Sequence, residues 1–489
     1  MSNNAQNQNT SHYDVIVVGA GLSGIDAAYH LQTNCPERSF TILEGRANMG
    51  GTWDLFKYPG IRSDSDMYTL GFPFSPWENP KSIADGPSIL KYIKDTAAKF
   101  GIDKKIQFNH KVIDASWSDA EKTWTLEIAS HETVPYKKLK CNFLLMCSGY
   151  YDYKKGYTPD FAGVENFKGQ VIHPQKWTSD IDYKNKKIIV IGSGATAITL
   201  VPELAKKAAK VTMLQRSPSY ILTLPSVDKI AIFIRKILPE KLAYHIIRWK
   251  NILISLGLYK AARKWPNTIR KFIEKGVRRQ LGSDFNIKHF DPPYNPWDQR
   301  LCLVPDADFF RAIKKGTANI VTDHIDKFTT DGVLLKSGEE LRADMIVTAT
   351  GLKVQLLGGM SIHVNGTPIN SADTHAYRGV MFSDVPNFAF TVGYTNASWT
   401  LKCDLSCQFV TKLLNYMKQN NYSVCTPRFD SKAFKTEPLL DFNAGYVLRA
   451  ADILPKQGSK HPWKVYQNYV LDLLSLKMGT VNDNYLEYK

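Results

Sequence analysis

Two runs of this 489-residue sequence share one pattern, and the pattern predicts an α/β fold with two Rossmann-like dinucleotide-binding domains. YDVIVVGAGLSGIDAAYHLQ starts at Tyr13, and KKIIVIGSGATAITLVPELA starts at Lys186. Each reads as a β-branched strand, a glycine-rich turn and an amphipathic helix. A second short strand follows each, FTILE at 40–44 and KVTMLQR at 210–216, which closes a βαβ unit. A third observation is that 44% of the residues are apolar, enough to fill sizeable cores and to exclude wholesale disorder.

The elements follow in chain order. Residues 1–12, MSNNAQNQNTSH, are polar and read as a disordered tail without the apolar stretch of an export signal. Residues 13–166 form the first domain, with a helix from Pro87 to Lys99 and strands at 106–109, 111–117, 123–128 and 143–147. Residues 167–185 read as a linker, because FKGQVIHPQKWTSD has neither helical nor strand period. The second domain spans 186–343, with strands near 319–335 and a helical excursion at 228–280. A strand at 344–349 is expected to rejoin the first core, which NFAFTVG at 387–393 and a helix after Trp399 complete within 344–489. The first domain is therefore discontinuous. No run of 18 uncharged apolar residues occurs, so no transmembrane helix is expected. The seven cysteines are odd in number and show no metal spacing or redox CxxC, which predicts a reduced, cytoplasmic protein without a metal.

The first loop is Gly19-Ala20-Gly21-Leu22-Ser23-Gly24. Its first glycine permits the tight turn, the second lets backbone approach a pyrophosphate, and the third lets helix pack closely on strand. The helix N-terminus then offers free N–H groups to phosphate. Glu44 ends the second strand about 20 residues later, where an acid accepts from ribose hydroxyls. The second loop is Gly192-Ser193-Gly194-Ala195-Thr196-Ala197, with alanine at the third position. Its second strand ends in Gln215-Arg216-Ser217 without a carboxylate. A guanidinium can clasp a 2′-phosphate bidentately and a serine can add a donor, so the site favours NADP over NAD. Two such sites suggest one cofactor held tightly and one exchanging. FAD and NADPH fit, with hydride passing from nicotinamide to flavin.

Phe167, Gly169, His173 and Trp177 match FxGxxxHxxxW, and here the chain resembles the type I Baeyer–Villiger flavin monooxygenases. Gly50, Gly51, Trp53, Tyr58, Pro59, Gly60 and Asp64 resemble that family's GGxWxxxxYPGxxxD segment. The runs GIRSDSDMYTLGF, NPWDQRLCLVPDADFFRAI and GYTNASWTLKCDL resemble its ethionamide-activating members. The resemblance implies conversion of ketones to esters or lactones with NADPH and dioxygen, through a C4a-peroxyflavin. It implies that Arg300 is the catalytic cation and that Asp64 holds it in place. Gln299 stands where the family has a lysine, and Thr178 where it often has Pro or Asp. It further implies that Ser23, Thr52, Trp53 and the backbone of Val112 contact FAD and that Gly351 lies close to flavin. Arg62 and Ser63 would lie near the nicotinamide half of NADP, and Trp399 on the substrate side. His173 would couple domain movement rather than do chemistry. A competing enzyme class is the heteroatom oxygenase of the flavin-containing monooxygenase type, which oxidises sulfides, thioamides or amines.

The net charge of +16 is local: residues 228–280 hold 14 Lys/Arg against three acids, a net +11. No nucleic-acid recognition motif accompanies it, which excludes that class of partner. Two readings remain for IAIFIRKILPEKLAYHIIRWKNILISLGLYKAARKW. One is a helical excursion that lines the substrate cleft and exposes a solvated basic face. The other is a peripheral contact with an anionic membrane.

Overall fold

The computed structural model describes residues 11–130, 133–299, 301–440 and 445–489. Most of the stretch read as a polar tail, residues 1–10, lies outside them. Its last residue does not belong to a tail. Strand β1 (His12–Val18) already pairs His12 with Lys140, because a neighbouring strand is long enough to template it. Helix α1 (Leu22–Asn34) buries Ile25, Ala27, Ala28 and Leu31, and β2 (Phe40–Leu43) returns parallel to β1. Helix α2 (Gly86–Lys99) starts on an Asp85 cap with Pro87 in its first turn. After β3 (Ile106–Gln107) comes an antiparallel meander, β4 (Lys111–Ser118), β5 (Thr123–Ser130) and β6 (Thr133–Met146).

The segment without a clear period contains a strand. β7 (Gln170–Ile172) is only three residues long, too short to show alternation. The second βαβ unit is β8 (Lys187–Ile191), α3 (Ala195–Leu204) and β9 (Lys210–Gln215). Three helices follow: α4 (Lys229–Ile237), α5 (Glu240–Lys264) and α6 (Pro266–Leu281). β10 (Ala318–Thr322) and β11 (Met345–Thr348) come next. β11 was expected to rejoin the first core, and it does not. It lies between β8 and β7 in the second sheet, whose order is β10-β9-β8-β11-β7, all parallel. The run MIVT is buried at every position and would suit the middle of either sheet. The chain re-enters the first sheet later. β12 (Ser361–Val364) pairs with β4, and β13 (Phe388–Phe390) pairs with β6. Helix α7 (Trp399–Gln419) then lays Leu405, Phe409 and Val410 into the core that holds Ile25 and Leu31 of α1.

All seven cysteines are free thiols, and all are buried. Burial pushes the Cys35 thiol up to about 11 and Cys147 up to about 12, and raises Cys141, Cys403, Cys407 and Cys425 as well. Among the described residues no helix is long and apolar enough to cross a membrane.

Candidate functional site: two glycine loops and one cavity

The first loop is built by close contacts. Gly19 sits at φ +105°, and a Cβ there would meet the Cys147 carbonyl oxygen at 2.6 Å. A Cβ on Gly24 would meet the Gly19 oxygen at 1.8 Å, so helix and turn touch backbone to backbone. Gly21 caps α1 without a side-chain hydrogen bond, so no side chain covers the helix N-terminus. Gly51 lies opposite: a Cβ on Gly21 would meet its Cα at 3.5 Å. Glu44 accepts the Ala20 N–H at 2.8 Å and the Arg46 N–H at 3.0 Å. Burial raises its carboxyl above the ordinary range, and those two hydrogen bonds pull the other way. Each carboxylate oxygen keeps acceptor capacity for a ribose hydroxyl.

These groups open into one cavity of about 550 Å³. Gly19, Gly21, Ser23, Glu44, Thr52, Trp53, Arg62, Ser63, Asp64 and Val112 line it, as do Ala195 and Thr196 from the start of α3. Trp399 stacks on Tyr150 with centroids 5.1 Å apart, and its indole N–H donates to Ser23 Oγ at 2.9 Å. The second unit is joined to this wall by the YPG turn. The Tyr58 hydroxyl is hydrogen-bonded to Thr196, although burial dominates and pushes its phenol up to about 12. A Cβ on Gly60 would touch Glu203 of α3 at 3.0 Å. Arg62 forms an ion pair with Asp308, so its charge is already shared. Ser63 donates its backbone N–H to the Ala84 oxygen at 2.9 Å.

The remaining residues of the second loop lie outside this cavity. Gly192, at φ +132°, presses on the Ala349 carbonyl, where a Cβ would come to 2.3 Å. Gly194 caps α3, and a Cβ there would meet nothing within 4 Å. Ser193 Oγ donates to the Ser217 carbonyl at 2.9 Å, which ties the loop to the end of β9. Ala197 is fully buried against the sheet, and Arg216 is exposed. Gly351 lies outside the cavity too, while Gly358 and Leu357 line it.

Arg300 lies outside the described residues; its neighbours Leu301, Cys302 and Leu303 line the cavity. The fingerprint residues do not line it. Phe167 packs with Phe328, and Trp177 is buried in the core of the second sheet. A Cβ on Gly169 would meet the Asp344 oxygen at 2.5 Å, where β7 joins β11. His173 Nδ1 accepts the Gln175 N–H at 3.2 Å, which leaves Nε2–H to donate to the Gly351 carbonyl at 3.0 Å. Burial lowers its pKa, which favours this neutral form.

Other wall residues were missed in the sequence. Tyr150, Tyr151 and Tyr153 follow β6 in CSGYYDY, a glycine and aromatic run at the end of a central strand. Arg46 donates to the Gly51 carbonyl at 3.2 Å and pairs with Asp54 at 2.6 Å, which fixes the GG turn. Away from the cavity, Asp26, His30 and Asp404 bring one ligand atom each within 4.8 Å of one another, a buried cluster that cysteine spacing could not disclose.

Two parallel βαβ units against one shared cavity define a two-dinucleotide α/β oxidoreductase. The chain belongs to the flavin-binding monooxygenase-like family, whose model matches residues 12–355. It is 54% identical over 481 residues to the FAD-containing monooxygenase EthA of Mycobacterium tuberculosis, covering 98% of each chain. It is 47% identical over 481 residues to the probable FAD-binding monooxygenase AlmA of Acinetobacter baylyi, covering 98% of this chain and 96% of that one. Among solved structures, it resembles an oxidized steroid monooxygenase bound to NADP with a TM-score of 0.77 at 19% identity, covering 98% and 99% of the two chains. An ε-caprolactone-bound cyclohexanone monooxygenase gives 0.76 at 18% identity, covering 98% and 100%. At such identities these two structures bear on the fold.

Proposed function

We propose that this chain is an FAD-containing monooxygenase that uses NADPH and dioxygen to convert small ketones to esters or lactones. The observation that carries the reading is the single cavity, in which the bare N-terminus of α1, Glu44 and the first turn of α3 meet Asp64 and Leu301. A dinucleotide fits this cradle. The glycines at 19, 21 and 51 line it with bare backbone, and the α1 N-terminus, which no side chain caps, would face the pyrophosphate. FAD, when bound, supplies the two-electron chemistry that links NADPH oxidation to dioxygen.

The chain's own residues do the rest. With FAD bound, the N–H groups at the start of α1 would hold its phosphate, Glu44 its ribose, and the Val112 backbone would contact it. Arg216 and Ser217 recognise the 2′-phosphate of NADPH. Trp399, held by Ser23, and the apolar Leu301, Leu303 and Leu357 keep water from the reacting carbonyl. Arg300 supplies fixed positive charge where negative charge develops on oxygen, and Asp64 orients it. His173, bound to the Gly351 carbonyl, ties the fingerprint to the segment leaving β11, so it transmits relative movement of the two units. Overall, ketone, dioxygen, NADPH and a proton give ester, NADP⁺ and water.

The test is aerobic NADPH oxidation by purified protein with linear, cyclic and aryl ketones and a thioether, with products identified. Ester or lactone formation is the expected result. Sulfoxide without any ester would move the chain to the heteroatom oxygenases.

A further inference from the structure

The three helices after the second βαβ unit do not bury all of their apolar residues. On α4, Ile230, Phe233 and Ile237 are 59%, 61% and 59% exposed, and their spacing puts them on one face. The flank next to it holds the packed Ile234 and, beyond that, buried Ala231. Helix α5 repeats the arrangement. Ala243 and Ile247 lie in the main core, whereas Leu242, Ile246, Trp249 and Leu253 recur at steps of four, three and four and face outward. Trp249 meets the Tyr469 ring edge-on at 5.8 Å. That contact joins the stripe to the C-terminal segment 471–478, where Leu471, Leu474 and Met478 are also exposed. Single exposed apolar residues need no explanation; two helical stripes and an adjoining turn form a patch.

Lysines edge the patch. Lys229 and Lys236 flank the α4 stripe, and Lys260 continues the α5 line two turns beyond Leu253. Lys229, Lys236, Lys241 and Lys260 are exposed and form no ion pair among the described residues. Other basic side chains of the segment are engaged: Arg248 is buried and donates to the Tyr68 and Gly71 carbonyls, and Lys250 pairs with Asp228. The exposed surface therefore combines apolar stripes with free ammonium groups. A second copy of the chain would bring the same positive charge to the contact and be repelled.

We infer that this face of α4 and α5, with the 471–478 turn, docks the protein on an anionic lipid surface. The apolar stripes enter the boundary between headgroups and acyl chains, and the lysines reach back to lipid phosphates. Helix α5 then lies between the bilayer and the enzyme. Its Ile252, Ser255 and Leu256 line a small cavity with Ala397, a residue that also lines the main one. An apolar substrate dissolved in the bilayer would be concentrated beside that wall. This inference needs only the surface, so it stands apart from the choice between ketone and heteroatom chemistry.

Purified holoprotein is sedimented with vesicles of phosphatidylcholine, alone or mixed with phosphatidylglycerol, at low and high salt. Binding is expected on mixed vesicles, with release at high salt. Changing Lys229, Lys236 and Lys241 together to Glu should lower the partition coefficient about a hundredfold or more, since each lysine near such a surface is worth about fivefold. Changing Phe233, Ile237 and Leu253 together to Ser should lower it by about tenfold or more through lost apolar burial. Both variants should keep their flavin content and NADPH oxidation rate, which shows that they fold. Equal binding to neutral and anionic vesicles, or binding that neither variant changes, overturns the inference. So does sedimentation-velocity evidence of a dimer that the Ser variant abolishes, which would make a second copy the occupant.

Discussion

The two glycine loops obey one sequence rule and differ in what surrounds them. The first is walled in: backbone of Cys147 and Gly51 presses on Gly19 and Gly21, and Glu44 is buried beneath. The second is pressed only at its first glycine, Gly192, and opens beyond it: Gly194 faces empty space and Arg216 is exposed. An enclosed loop suits a cofactor that stays through many turnovers, and an open one suits a cofactor that must leave after each. The glycine pattern points to a nucleotide at each loop, and the surroundings differ in how far they enclose it.

The largest expected effect, under the proposed chemistry, concerns the catalytic cation. Arg300→Ala should keep FAD and still oxidise NADPH, yet lose ester formation by about a hundred- to a thousandfold, with hydrogen peroxide released instead. Ester analysis beside flavin spectra on the same samples decides it, and near wild-type ester yield would remove Arg300 from the mechanism. Alanine at each loop probes the contrast directly. Gly19→Ala meets backbone in a left-handed conformation, so about 1–3 kcal/mol of strain and clash should appear as lost flavin and lower stability. Gly194→Ala, at φ −79° and with open space, should keep flavin and the wild-type melting temperature. Equal flavin loss in both variants would erase the distinction between closed and open loops. Arg216→Ala should weaken NADPH binding about ten- to a hundredfold, or about 1.5–3 kcal/mol, while NADH binding holds. An unchanged preference between the two nucleotides would withdraw the 2′-phosphate role.

The smallest effect concerns the buried cluster behind the first loop. Burial foremost, then the Asp404 charge, raises the Asp26 carboxyl well above 3.8, with His30, Cys407 and Arg248 pulling back. Burial opposes a charged His30, but its hydrogen bond to Asp404 and the Asp26 charge raise it above 6.5. A raised carboxyl favours the folded state at low pH. That contribution is lost as pH climbs from the unfolded value toward the folded one. Asp26→Asn should therefore melt like wild type near pH 4 and above it at pH 8, with the gap opening between. A gap constant across that range would mean that Asp26 is not titrating.

Legibility in the sequence followed the same division. Gly19 and Gly192 announce themselves because no other residue takes those turns with backbone pressed so close. The helix read from Pro87 to Lys99 starts one residue earlier, at Gly86, where Asp85 caps it. MIVT at 345–348 read as a strand, but its sheet was not readable, since an all-buried run carries no mark of its neighbours. QVI at 170–172 was invisible for want of length. Glu44 and Arg216 could be singled out because the βαβ unit fixes their positions; Glu44 lines the cavity and Arg216 is exposed outside it. Arg46 and Tyr153 could not be, because they reach the cavity from turns that no spacing rule governs.

The cysteines have a consequence for the enzyme's own survival. Under the proposed chemistry, any turnover that fails to deliver oxygen to substrate leaves hydrogen peroxide beside the protein. Peroxide attacks thiolates, and the six thiols raised by burial are held in the protonated form at neutral pH. Cys147 and Cys302 stand in the cavity wall, nearest the source. The fold thus shields these six thiols from peroxide, and native protein running without substrate should keep them titratable while urea-unfolded protein in the same peroxide loses them.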